Sequence, residues 1–195
     1  MEFDYALYIG VTAVSSAAVL LIATVGLAVI FGMMGVINLA HGEFIMLGAY
    51  TTLMSTKAGV PFPLAVILAA LCLALFGAVV ERGIIRFLYG RLFDTLLATW
   101  GLSLALYQGA VLMFGTTTPG IGLPISPVEI GRYTMSSYFL LLILAAAVMV
   151  AIVFLVFTRT TYGMMARAAI QNRSMASCVG VETGRINTIT FAFGS

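Results

Sequence analysis

The sequence predicts an all-α fold, a polytopic transmembrane helical bundle, and three observations predict it. Of its 195 residues, 62% are hydrophobic and only 8% are charged, against roughly 25% charged in an average soluble domain. Long apolar runs recur along the chain, and a helix needs about 20 apolar residues to cross a hydrocarbon core of roughly 30 Å. The arginines gather in the polar stretches between those runs. One soluble core could not hide this much apolar surface; a bilayer can act as its solvent.

The elements follow in order. A first run reaches from about Ala6 to Phe31, long enough to cross with tilt. The start, Met1-Glu2-Phe3-Asp4, lacks the basic region of a cleaved signal peptide, so this run is expected to stay as a membrane helix. A second, Leu39 to about Thr56, is shorter and contains His41 and Glu43. Lys57, Gly59, Pro61 and Pro63 break it from a third, Leu64 to Val80. The fourth covers about Thr95 to Phe114 and the fifth Tyr138 to Phe157. A new apolar pattern opens near Ile186 and is cut off at Ser195, giving about five spans and a truncated sixth in a single transmembrane domain, 1–195.

Charge sets the expected orientation. Arg82, Arg86 and Arg91 lie between spans three and four, and Arg159, Arg167, Arg173 and Arg185 follow span five. Both loops then fall on one side, which the positive-inside rule makes cytoplasmic. The N-terminus is expected outside, together with the loop from Gly115 to Ser137; only Lys57 and Arg132 join them there. Ala70, Ala74 and Ala78, with Gly77 beside them, and Ala147 with Ala151 repeat every fourth residue. Small residues at that spacing let helices approach closely in lipid, so these stripes predict packing rather than a pore.

The most unusual stretch is Gly32 to Phe44, GMMGVINLAHGEF. Gly32 and Gly35 interrupt the end of span one, and Asn38 can cap a new helix by accepting from a free backbone N–H. Glu43 falls near the first turn, where the helix dipole favours an anion. Two readings stand: a re-entry turn with a buried, paired Glu43, or His41 and Glu43 lining a solute path, since a carboxylate at membrane depth must face protein or water. Thr95, Thr99 and Ser103 share one face of span four. Their hydroxyls either bond back to their own helix or form a polar lining for a small neutral or zwitterionic solute. The pathway candidates are therefore Asn38, His41, Glu43, Thr95, Thr99 and Ser103.

The segment from Arg159 to Gly180, RTTYGMMARAAIQNRSMASCVG, is too polar to cross. Met164, Ala168, Met175 and Val179 keep helical spacing in it, which fits two short amphipathic helices broken near Asn172. Cys72 and Cys178 read as free thiols, and neither has metal-ligand spacing around it. The chain has no G-x-x-x-x-G-K-[ST] sequence and no catalytic constellation. A net charge of +2 suggests no nucleic-acid partner.

Several runs resemble one family. GVINLAHGEFIMLGAY at 35–50, Glu81-Arg82, DTLLATWGLS at 94–103 and RINTITFAFGS at 185–195 are similar to the branched-chain amino acid ABC permease family. Within it, QNRSMASCVG at 171–180 looks most like the urea-permease branch; the amino acid branch usually has an acidic residue where Gln171 and Asn172 stand. The resemblance implies an inner-membrane importer assembled from this permease, a second permease subunit, cytoplasmic ATPase subunits and an extracytoplasmic solute-binding protein. The chain itself would be no enzyme and hold no cofactor, ATP being used by the partner. It implies an ATPase-docking loop at 158–185, with Arg167, Ala168, Asn172, Arg173 and Gly180 in it. It also implies a longer permease of which this chain is a part. The expected solute is urea or a related small amide, with branched-chain amino acids as the alternative in the same family and a passive small-solute channel as the alternative of another class.

The charge argument is testable by thiol labelling. In a Cys72→Ser, Cys178→Ser background, cysteines at positions 86 and 173 should react with an impermeant reagent from the same membrane face. Labelling from opposite faces would reject the topology.

Overall fold

A computed structural model of the protein describes residues 2–116, 128–130 and 133–195. Helix α1 (Glu2–Met34) is unbroken for 33 residues, about 50 Å at 1.5 Å per residue. It stops at Gly35, whose φ of +64° lies in the left-handed region and whose N–H reaches back to the Phe31 carbonyl (2.9 Å). Glycine is the residue that takes this conformation without a Cβ clash. Residues 35–38 then run without regular structure and 39–40 form a turn into α2 (His41–Lys57).

Helix α3 (Phe62–Gly83) opens on Pro61 and Pro63, placed where a missing N–H costs nothing because no intrahelical partner exists there. A 3-10 turn (Ile85–Leu88) leads to α4 (Leu92–Phe114). The next described residues are two three-residue strands, β1 (Val128–Ile130) and β2 (Tyr133–Met135), antiparallel with Val128 opposite Met135. This pairing falls in what the sequence presents as a Gly- and Pro-bearing loop. Arg132 and the rest of that loop's centre lie outside the described residues. Helix α5 (Tyr138–Arg159) follows, then α6 (Thr161–Gln171), α7 (Arg173–Cys178) and α8 (Thr183–Gly194). The all-α expectation holds.

Among the described residues, four helices are long and apolar enough to cross a membrane: α1, α3, α4 and α5. The expected second span is different in kind. α2 has 17 residues, about 25 Å of helix, which alone falls short of a core of about 30 Å. Its start lies deep: the His41 ring reaches the Ala23 carbonyl (2.9 Å), eleven residues back from Met34, or about 16 Å along α1. The irregular segment therefore climbs back beside α1 before the helix begins.

Packing centres where α1, α2, α3 and α8 meet. Ile30, Val36, Phe44, Val80, Ile85 and Phe191 form the buried cluster there. Phe44 meets Phe76 and Phe191 edge to face, with centroids 5.4 and 6.3 Å apart, the arrangement aromatic quadrupoles favour. α2 lies along α3, and α8 lies against both α1 and α3. The small-residue stripe that packs on α3 is Ala65, Ala69, Leu73 and Gly77. It is turned from the expected Ala70, Ala74 and Ala78, of which Ala70 is exposed. On α5 only Ala146 is buried, while Ala147 and Ala151 are exposed. Most of α4 and α5 presents leucine, valine and phenylalanine outward, as helices do when lipid or another subunit is the solvent.

A hydroxyl fixes the bend between α5 and α6. Thr160 donates to the Val156 carbonyl (2.5 Å) and accepts from the Gly163 N–H (3.1 Å). A Cβ at Gly163 would collide with the Phe157 and Val156 carbonyls, so the elbow needs glycine.

Close approach of α1 and α8 likewise excludes side chains. A Cβ on Gly194 would lie 2.6 Å from Ile30 Cγ1 and 2.8 Å from the Gly26 carbonyl, and one on Gly26 would strike the Gly194 carbonyl. Gly26→Val should lower stability by about 1–3 kcal/mol, the usual cost of overpacking, read as a lower melting temperature in detergent. Gly10→Val, where nothing lies within 4 Å, should leave it unchanged.

Candidate solute site and cytoplasmic docking face

The break before α2 gathers most of the pathway candidates. Asn38 is 2% exposed, and its Oδ1 accepts from the Ala40 N–H (3.1 Å), while the His41 N–H reaches the Asn38 carbonyl (3.3 Å). Asn38 thus organises the turn just ahead of the helix, two residues earlier than a formal cap. His41 must present Nε2–H to meet the Ala23 carbonyl, which leaves Nδ1 for another partner.

Thr99 ties the opposite side down. Its hydroxyl is fully buried, accepts from the Leu39 N–H (3.2 Å), and lies within 2.9 Å of the Thr95 carbonyl and 3.3 Å of the Ile37 carbonyl. One side chain on α4 therefore serves two backbone groups of the irregular segment and its own helix. Thr95, also buried, donates to the Leu92 carbonyl (2.7 Å). Ser103 is half-buried one turn further on. The stripe of hydroxyls read from the sequence is real, and two of its three members are engaged inside the protein.

Three buried polar atoms on this segment have no hydrogen-bond partner among the described residues: Asn38 Nδ2, His41 Nδ1 and Glu43 Oε2. Buried polar groups are overwhelmingly paired in native proteins, so one donor and two further sites stand ready for something else. Glu43 is half-buried, and its Oε2 has no partner among the described residues. His41 also lines a cavity of about 400 Å³ between α1, α2, α5 and α8, with Val19, Ile22, Ile45, Leu142 and Met149 among its walls. The cavity is apolar except at the imidazole and at Tyr138 and Ser195.

On the arginine-rich side, α6 and α7 form the pair of amphipathic helices broken at Asn172. Its side chain accepts from the Met175 N–H (3.0 Å) and the Ser174 hydroxyl (2.8 Å), capping α7. Gly180 (φ +87°) ends α7, with its N–H on the Ser177 carbonyl and the Val181 N–H on the Ala176 carbonyl, the bonding of a Schellman stop. Gly163, Ala166 and Ala176 are buried against the bundle. Met164, Met165, Ile170, Met175 and Val179 face outward, as do Arg167, Ala168 and Arg173.

Two tyrosines fasten this pair to the bundle. The Tyr162 hydroxyl lies 2.5 Å from Thr190 Oγ1 and donates to the Ile186 carbonyl (3.2 Å). Arg173 stacks its guanidinium 5.3 Å from the centroid of the Tyr89 ring, a cation–π contact. Tyr89 in turn donates to Oε1 of Glu81, and Thr188 donates to Oε2 (2.6 Å). Burial above all, then the Glu81 hydrogen bond and charge, push the Tyr89 phenol well above the ordinary tyrosine range. Burial raises Tyr162 as well. Both stay protonated donors at any working pH.

Sequence reading missed the roles of Glu81, Tyr89, Thr188 and Tyr162. A signal existed for the first, because a carboxylate in the last turn of an apolar helix needs an internal partner as Glu43 does. Two ion pairs stand among the described residues, Arg91–Asp94 and Arg185–Glu182; both are exposed neighbours on the surface, where such pairs contribute little.

Fold and site define a multi-pass helical membrane protein with an irregular break between α1 and α2 and a helical face on its arginine-rich side. Residues 10–195 match the family described as branched-chain amino acid transport system, permease component, and the chain belongs to that family. It is 29% identical over 190 residues to the high-affinity branched-chain amino acid transport system permease protein BraD of Pseudomonas aeruginosa, across 88% of this chain and 61% of that protein. The chain thus spans about three fifths of that relative's length. No solved structure matches it.

Replacing Thr99 tests the support of the break. Thr99→Val should cost about 1–3 kcal/mol by leaving the Leu39 N–H buried without a partner, seen as a lower melting temperature, and Thr99→Ser should restore most of it.

Proposed function

We propose that the chain is the membrane-spanning permease of an ABC importer that moves branched-chain amino acids inward by ATP-driven alternating access. The observation that carries this reading is the cavity at His41. A wall of valine, isoleucine, leucine and methionine suits an aliphatic side chain, and the His41 imidazole on that wall suits a polar end of a zwitterion as it sheds water. Urea has no apolar part for such a wall to hold. The family description and the name of the Pseudomonas aeruginosa relative favour the same solute class over the urea branch that residues 171–180 resemble.

Partners enter the reading through α6 and α7. A row of exposed methionines, Ile170 and Val179 beside Arg167 and Arg173 on a helix pair too polar to cross is the surface we assign to the cytoplasmic ATPase. A second permease subunit would cover the outward apolar faces of α4 and α5, and an extracytoplasmic binding protein would deliver the solute. Because the irregular segment and α2 together are long enough for a crossing, we place the N-terminus outside.

Uptake into vesicles holding the full-length permease with its partners should require ATP. An excess of unlabelled isoleucine should compete with labelled leucine, and the same excess of urea should not. Ile45→Asn should reduce uptake about tenfold, the scale of losing one buried aliphatic contact. Equal competition by urea, or uptake without ATP, would overturn the assignment.

A further inference from the structure

We infer that Glu81 and Tyr89 form the joint through which α7 moves the membrane helices, which makes them positioning residues for transport rather than solute ligands. This rests on the reading of α6–α7 as the ATPase face. The carboxylate of Glu81 is fully buried near the cytoplasmic end of α3. Its charge has no cation against it among the described residues; two hydroxyls satisfy it instead, one on each oxygen.

Those hydroxyls come from different pieces of the chain. Tyr89 belongs to the link between α3 and α4, and Thr188 to α8. Asn187, also on α8, lines the same cavity as that phenol. Arg173, the first residue of α7, rests on the Tyr89 ring and also donates to the Thr183 hydroxyl at the start of α8 (3.4 Å). Three polar contacts in series therefore run from α7 through Tyr89 to α3, and on to α8.

Charge makes the series cohesive. A buried carboxylate requires its donors, since losing one exposes it to the full cost of desolvation. A push on Arg173 is thus transmitted to the phenol and then to Glu81, and α3 and α8 follow to keep both hydroxyls in place. The phenol also has room to travel. Tyr89 and Arg173 line a cavity of about 370 Å³ against the last turn of α1, with Met34 and Gly35 on its far wall. A ring packed on all sides could not shift; this one borders open space.

A hydrogen bond serving only the fold and one serving transmission differ in what Tyr89→Phe does. That variant removes one oxygen and keeps the ring under Arg173. In the complete transporter, reconstituted with its binding protein, Tyr89→Phe should assemble normally. ATP hydrolysed per solute imported should rise about threefold to tenfold, the factor a single hydrogen bond corresponds to. Arg173→Gln should give a similar rise, and the double variant should be no worse than either alone, because both cut one series. A double variant whose rise is the product of the two would overturn the inference. So would transport and ATPase activity falling together, or a loss explained wholly by less assembled complex. Should Tyr89→Phe fail to assemble, Arg173→Gln, which alters an exposed side chain, carries the same test. Absence of binding-protein-stimulated ATPase activity in the unaltered transporter would instead reject the importer reading itself.

Discussion

Every backbone N–H and carbonyl inside a bilayer must find its partner within the protein, and one stretch of this chain makes that demand acute. Residues 35–40 leave the helical hydrogen-bond pattern while lying among helices. An irregular segment is tolerated at such a place only when protein or a water-filled cavity surrounds it. Here Asn38 Oδ1 takes the Ala40 N–H and the Thr99 hydroxyl takes the Leu39 N–H. The burial of Thr99, the position of α4 beside the break and the depth at which α2 begins all follow from satisfying those groups. The same enclosure leaves polar side-chain atoms of Asn38, His41 and Glu43 without a partner among the described residues.

On the arginine-rich side a second polar assembly lies under α7. Glu81, Tyr89 and Thr188 join α3, the α3–α4 link and α8 through one carboxylate, whereas the aromatic cluster of Phe44, Phe76 and Phe191 joins α2, α3 and α8 through ring packing. The two differ in reach. Aromatic packing holds over many small displacements, while a buried carboxylate with two hydroxyl donors has few acceptable geometries. Hydrogen bonds sit where the helices meet α6 and α7, and aromatic packing sits further in.

Much of this was legible in the residues. Apolar runs marked α1, α3, α4 and α5 because lipid-facing helices leave no ambiguity between burial and exposure. Gly35 and Asn38 marked the break, whereas Gly32, read as interrupting span one, lies inside the continuous α1; Asn172 marked the division between α6 and α7. What escaped the sequence depends on distant partners. Thr188 lies 107 residues from Glu81, and no local pattern ties them. The packing stripe on α3 was read on Ala70, Ala74 and Ala78, yet Ala69, Leu73 and Gly77 face the bundle. Adjacent positions on a helix point about 100° apart, and which small residue meets a neighbour depends on where α2 and α8 lie. Thr95 and Thr99 looked as suited to a solute as to a carbonyl; only the position of residues 37–39 decides where Thr99 bonds. α2 read as a plain short span because charge and length alone do not show that the chain ahead of it is unwound.

The side on which the first residues lie turns on this unwinding. Between the arginine loop after α3 and the one after α5 stand α4 and α5, two crossings whatever α2 does. Their common side is insensitive to it. The N-terminus is separated from the first of those loops by α1, the broken segment with α2, and α3. A segment that reaches the far surface makes that number odd, and one that turns back within the bundle makes it even. Six residues of irregular chain thus govern which compartment meets the first turn of the polypeptide, and through Gly35 that choice traces back to a single carbon atom the chain leaves out.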